Sequence, residues 1–116
     1  MDTGDVFDPN CPARVVLDRI GDKWSVLVLL GLAGGPMRFT RLRARMGGVT
    51  PKVLTQTLRA MESDGLVTRE VFAEVPPRVE YTLTDLGHSL HGPVSVVAQW
   101  AEENVAEILR NREKSA

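Results

Sequence analysis

Between Lys52 and Ser63 the side chains have the types and spacing to read a nucleic acid. At about 100° per residue, Lys52, Thr55, Gln56, Arg59 and Ser63 share one side of a helix. Leu54, Leu58 and Met61 share the other side, and Gly65 continues that line. Lysine and arginine donate to guanine, glutamine pairs with adenine, and threonine reaches a phosphate or a thymine methyl. Every surface helix needs a polar face, but an ordinary one mixes signs. This one carries no carboxylate before Glu62 and Asp64, near its C-terminal end. Base at the start and acid at the end fit insertion of the N-terminal half into a major groove.

The surrounding charges point the same way. Six basic residues (Arg38, Arg41, Arg43, Arg45, Lys52 and Arg59) and no acid lie between Arg38 and Met61. The remainder holds eight basic and fifteen acidic residues, a net of −7 that the whole-chain charge of −1 conceals. A basic block inside an acidic domain is the electrostatic footprint of a nucleic-acid face, and a solvated helix face is the alternative that charge alone leaves open. Arg38, Arg41, Arg43 and Arg45 cannot all point one way. Arg41 and Arg45 stand one turn apart, while Leu42 and Met46 make a buried stripe. Thr40, Arg41 and Arg43 are expected at phosphates, because the first helix of a helix-turn-helix crosses the backbone.

These residues need elements to position them, and turn and cap signals divide the chain. Asn10-Cys11-Pro12 opens a first helix with Pro12 at its first position, and Gly21 stops it. Asp22 caps a second helix from Lys23 to about Ala33, apolar nearly all round and therefore the buried centre. Met37-Arg38-Phe39 is short and extended, and Thr40 caps a third helix through Met46. After Gly47-Gly48, Thr50 is the N-cap and Pro51 the first residue of a fourth helix that ends near Asp64, with Gly65 beyond it. Leu66 to Phe72 and Arg78 to Leu83 are strand-forming runs around a proline-stiffened tip, which predicts a hairpin. Thr84 caps a last helical region, about 85–112, that Gly92-Pro93 is expected to break or kink.

Three helices with a tight glycine turn, then a hairpin, predict a mainly α protein with a small β-hairpin wing: a winged helix-turn-helix. At 116 residues with 43% hydrophobic content the chain is one folded domain rather than a disordered segment. Residues 1–10 are expected as a flexible arm and 11–116 as the domain. No apolar run approaches the ~20 residues of a membrane span, and the acidic N-terminus is unlike a secretory signal, so a cytoplasmic location without membrane attachment is expected. On the wing, Arg78 follows Pro76-Pro77 at the tip and suits a narrow minor groove; Glu74 and Glu80 beside it offer an ion pair instead.

Several of these segments recur together in a known family. Cys11-Pro12, Gly21-Asp22-Lys23-Trp24, Arg38-Phe39, Thr50-Pro51-Lys52-Val53-Leu54-Thr55, Asp64-Gly65-Leu66-Val67-Thr68-Arg69, Pro77-Arg78-Val79-Glu80-Tyr81 and Leu83-Thr84-Asp85-Leu86-Gly87 occur in this order. The sequence resembles the HxlR family of bacterial transcription regulators, distant relatives of MarR, from Cys11 to Trp100. The resemblance implies a homodimer bound to a pseudo-palindromic double-stranded DNA operator, joined through its first and C-terminal helices, with repression the commoner outcome. Phe72 stands where the family often has tyrosine.

The resemblance also places Cys11 at a family cysteine that senses electrophiles or oxidants in some relatives and has no evident sensing role in others. A thiol at a helix N-terminus gains thiolate character; the alternative is an inert, half-buried cap. As the chain's single cysteine, Cys11 can form a disulfide only between subunits or with a small thiol. Val94, Val97, Trp100, Ala101, Val105 and Ile108 form an apolar stripe at helical spacing, broadened by Val96, Ala98 and Leu109. A stripe this long beside a domain that already has a core predicts a symmetric partner. Asp85, His88 and His91 have one-turn spacing but lack a fourth ligand, so no metal and no cofactor is expected. Trp24 and Trp100 are read as core and interface anchors, and a ligand pocket between subunits stays open. A small enzyme is disfavoured by the absence of a phosphate loop or a nucleophile–base pair. A protein–protein adaptor without DNA would not need the acid-free basic block.

Overall fold

The centre of the domain is a helix that cannot face water. In the computed structural model, which describes residues 4–115, this helix is the second, α2 (Lys23–Leu32), after α1 (Arg14–Ile20). Asp22 caps α2 by accepting a hydrogen bond from the Trp24 N–H at 3.1 Å. Val28, Leu29 and Leu32 are fully buried. Around them pack Leu42 and Met46 of the next helical segment, Leu54, Leu58 and Met61, then Leu66, Val67, Leu83 and Val94, in one core.

The remaining elements are β1 (Met37–Arg38), α3 (Phe39–Arg45), α4 (Pro51–Ser63), β2 (Val67–Phe72), β3 (Arg78–Leu83) and α5 (Asp85–Ser115). The expected hairpin is present, and β1 adds a third strand, giving the order β1-β3-β2, all antiparallel. Arg38 pairs with Glu80 and Met37 with Tyr81. That pairing corrects one expectation. Arg38, with the extended backbone of a strand residue, is itself the N-cap of α3, so the helix starts at Phe39 and Thr40 lies inside it.

Two further boundaries differ from the sequence reading. α1 begins at Arg14, not Pro12, because the chain from Cys11 to Ala13 forms three-residue turns: the N–H groups of Arg14, Val15 and Val16 donate to the carbonyls of Cys11, Pro12 and Ala13. Cys11 is therefore not the helix cap. α5 runs unbroken through Gly92-Pro93. Proline removes the hydrogen bond to the Ser89 carbonyl, but Ser89 and Pro93 are both exposed, so the lost bond leaves no buried polar group behind.

Of the segment read as an arm, residues 1–3 lie outside the described residues. Residues 4–10 form turns, and the Arg14 guanidinium ties them down by donating to the Val6 and Phe7 carbonyls at 2.8 and 3.0 Å. Val94, expected at an interface, is buried in the core because the first half of α5 packs on α2. Beyond it α5 leaves the body. The radius of gyration, 16.7 Å, exceeds the ~13 Å of a compact domain of about this size.

Gly87 is where α5 meets the rest of the fold most closely. A β-carbon there would stand 2.2 Å from the Leu66 carbonyl oxygen, a backbone atom that cannot step aside. Gly87→Ala is expected to destabilise the protein by about 1–3 kcal/mol or more, read as a lowered urea midpoint at unchanged m-value.

Candidate nucleic-acid interface

The reading helix is built as its sequence demands. Thr50 caps α4, its hydroxyl oxygen accepting from the Val53 N–H at 3.2 Å, with Pro51 at the first position. Leu54, Thr57, Leu58 and Met61 are buried against the core. That orientation leaves Lys52, Gln56 and Arg59 exposed and Thr55 half-buried on the opposite side. Gly48, at φ +89°, allows the tight connection from α3 that a side chain would strain.

On α3, Thr40, Arg41 and Arg43 are exposed, as is Arg38 just before it. Arg43 also supports the fold, since its Nε donates to the Val49 carbonyl at 3.2 Å and braces the turn into α4. Arg45 is turned away, its Nη1 donating to the Gly31 carbonyl of α2 at 3.2 Å. Arg38, Thr40, Arg41, Thr50, Lys52, Gln56 and Arg59 therefore stand exposed on the helix-turn-helix, with its core beneath them.

Arg78 is positioned differently from the tip arginine that the sequence presents. Its Nη2 lies 3.2 Å from Glu74, its Nε 3.4 Å from Glu80, and its guanidinium carbon 4.0 Å above the Phe72 ring. The Nε is buried and makes no aligned hydrogen bond. Two carboxylates and an aromatic face hold the group against the strand, so Arg78 stiffens the wing instead of offering a free charge.

Three residues that the sequence did not assign to the site join it. Arg69 of β2 and Tyr81 of β3 are direct cross-strand partners, and Glu62 of α4 lies 3.9 Å from the Arg69 Nε. With Thr55 and Arg59 they line a polar cleft of about 250 Å³ between α4 and the sheet. Burial raises the Tyr81 pKa above the ordinary phenol value, with Arg69 opposing, so the hydroxyl stays protonated and can donate. The period-two pattern carried the signal: Arg69 and Tyr81 stand two residues from the core residues Val67 and Leu83, on the same face of the sheet.

Cys11 is 5% exposed, more enclosed than the half-buried position expected of a cap. Trp24 packs on the core, and Trp100 is open to solvent. Among the described residues, no three His, Cys, Asp or Glu side chains converge to hold a metal ion, and no helix is long and apolar enough to cross a membrane.

A core-supported helix-turn-helix with an exposed basic reading face and an adjoining three-stranded wing defines a winged helix-turn-helix DNA-binding protein. The HxlR-like helix-turn-helix family model matches residues 19–108, and the chain belongs to that family of transcription regulators. It is 42% identical over 113 residues to the uncharacterized HTH-type transcriptional regulator YtfH of Escherichia coli K12, spanning 97% of this chain and 90% of that protein. The solved structure of ytfH from Salmonella typhimurium superposes with a TM-score of 0.88 at 44% identity, covering 95% of this chain and 98% of that one. The redox regulator HypR in its oxidized form superposes with a TM-score of 0.75 at 40% identity, covering 81% and 97%.

The exposed face separates base readers from phosphate contacts. Arg59→Ala and Gln56→Ala are each expected to lose about 1–3 kcal/mol on specific DNA and to relax specificity. Arg41→Ala is expected to weaken all sequences alike and flatten the salt dependence by about one unit per subunit. Equal affinities of Arg59→Ala and wild type for specific and random duplexes would remove α4 as the reader.

Proposed function

We propose that the protein is a homodimeric regulator, acting as a repressor on a pseudo-palindromic operator, with no catalytic activity of its own. The observation that carries the dimer is the apolar surface of α1 and α5. On α5, Val97 is 67% and Trp100 56% exposed, with Ala101, Val105, Ile108 and Leu109 continuing the stripe. On α1, Val15, Val16 and Leu17 are exposed as well. A soluble monomer rarely leaves such a run in water, and a two-fold partner covers it with the same surface. Two copies then present two reading helices to half-sites one helical turn, or a multiple of it, apart. A micromolar sample is expected to sediment as a dimer, and Trp100→Glu with Val97→Glu to shift it toward monomer. Sedimentation of the wild type as a monomer overturns the assembly, and with it the palindromic site.

Control by Cys11 is the second part of this reading, supported by the family position of the cysteine and by similarity to the redox regulator HypR. With the thiol 5% exposed and the Cys11 N–H bound to the Asp8 carbonyl at 2.9 Å, reaction requires the surrounding chain to open, and an adduct then prevents it from closing. Any oxidation product is a mixed disulfide, an intersubunit disulfide or an electrophile adduct. Because this segment leads into α1, a change there alters the spacing of the two reading helices. In a gel shift on the DNA flanking its own gene, diamide or a quinone is expected to release the wild type and leave Cys11→Ser bound. Equal loss in both proteins, or loss in neither, makes Cys11 structural.

A small-ligand reading has its own observation. An apolar groove of about 360 Å³ lies between α1 and the start of α5, lined by Val15, Val16, Leu66, Leu86 and Leu90. The Arg19–Asp64 ion pair, 2.6 Å long, closes one side.

A further inference from the structure

When a helix occupies a major groove and the adjacent wing faces the neighbouring minor groove, one sugar-phosphate strand separates the two. That strand has to pass over the cleft between helix and wing. Here the cleft between α4 and the sheet is lined by Thr55, Arg59, Glu62, Arg69 and Tyr81. Val67 and Leu83 point into the core, so Arg69, two residues after Val67, and Tyr81, two residues before Leu83, emerge on the same face beside α4. The lining thus offers two guanidinium groups and two hydroxyls against one carboxylate. That carboxylate, on Glu62, holds Arg69 at 3.9 Å, the outer edge of ion-pair range, with the Arg69 side chain about half and the Glu62 side chain about two-fifths open to water. An exposed pair at that distance is weak and readily exchanged.

We propose that this cleft is the seat of one DNA backbone phosphate, held by the Arg69 guanidinium and the Tyr81 and Thr55 hydroxyls, with Glu62 the counter-ion that the phosphate displaces. The proposal rests on the reading of this chain as a duplex-DNA binder and adds the wing's contribution to it. Arg78, held by Glu74 and Glu80, leaves the wing's cationic contact to Arg69. Arg59 lines the same cleft but is exposed on the reading face of α4, where its fork can reach a base edge. A phosphate in this seat bridges α4 and the wing, so its position fixes how deeply α4 enters the groove. Glu62 gives the seat its selectivity: a carboxylate there repels a lone anion, while a duplex arrives with many other phosphates already neutralised along Arg41 and Lys52.

The test measures anisotropy of a labelled 30-base-pair duplex of random sequence across a potassium chloride series, with melting curves to verify folding. Arg69→Ala is expected to bind about tenfold more weakly, with the log–log salt slope shallower by about 0.9 per subunit. Tyr81→Phe is expected to weaken binding a few-fold at unchanged slope, since a neutral hydroxyl displaces no counter-ion. Glu62→Gln is expected to bind a few-fold more tightly, because the phosphate no longer competes with a carboxylate for Arg69. Wild-type binding together with an unchanged slope for Arg69→Ala overturns the phosphate seat alone. Weaker binding by Glu62→Gln overturns the displacement. Failure of the wild type to bind either this duplex or the DNA flanking its own gene overturns the DNA reading, and the seat with it.

Discussion

At Leu66 the end of the reading helix, the root of the wing and the first turn of α5 are tied through adjoining peptide groups. The Leu66 N–H donates to the Met61 carbonyl at 2.9 Å and the Gly65 N–H to the Glu62 carbonyl at 3.0 Å, which closes α4 in a Schellman turn. Gly65 takes the positive φ, +78°, that such a turn requires. The Leu66 carbonyl then accepts from the Thr84 N–H at 3.0 Å, while the Thr84 hydroxyl donates to the Gly65 carbonyl at 2.6 Å and accepts from the Gly87 N–H at 3.0 Å. Gly87 lies so close to the Leu66 oxygen that no other residue fits without movement. The orientation of α4 relative to the wing is thus set by hydrogen bonds with little slack, and the groove-facing side chains inherit that geometry.

The charge distribution follows from this frame. With Leu54, Leu58 and Met61 committed to the core, the exposed side of α4 is fixed, and it carries cations toward its start and Glu62 toward its end. The sheet places Arg69 beside Glu62 and leaves Arg38 opposite Glu80. The basic surface is therefore continuous along the helix-turn-helix and becomes mixed at the wing. An arginine's worth to DNA depends on what else holds it. Arg41 has an open face; Arg45 and Arg78 are engaged within the protein.

Local chemistry made much of this legible. Thr50-Pro51 marks the start of α4 and Gly65 its end, because a cap and a left-handed turn are decided within a few residues. The strand register of β3 shows in its alternation. What the sequence withheld depends on tertiary contacts. The third strand exists because Met37 and Arg38 find β3, and that pairing makes Arg38 rather than Thr40 the start of α3. Val94 belongs to the same apolar stripe as Val97, and only the packing of α5 on α2 separates core from exposed surface. Arg69 and Tyr81 join the site through a cross-strand pairing of residues twelve positions apart.

The far side of the molecule is coupled to the reading helix by equally short links. Arg19 of α1 meets Asp64, the C-cap of α4, at 2.6 Å, with both side chains about three-quarters shielded from solvent. Shielding makes this pair stiffer and less sensitive to salt than a surface bridge. α5 is held to the same end of α4 through Gly87 and Leu66. Both apolar helices therefore grip α4 at its C-terminal end, remote from Thr50 and Lys52 at the start. Because Leu54, Leu58 and Met61 also pack α4 on the core along its length, a tilt imposed at that end is carried through the whole helix. About 18 Å of α4, at 1.5 Å per residue, separates the grip from the first reading residues, so a rotation of a few degrees at α1 or α5 moves them by about an ångström. Hydrogen bonds to base edges do not survive much more than that. The apolar and basic faces of this small domain are thus mechanically one device, joined through the last turn of α4.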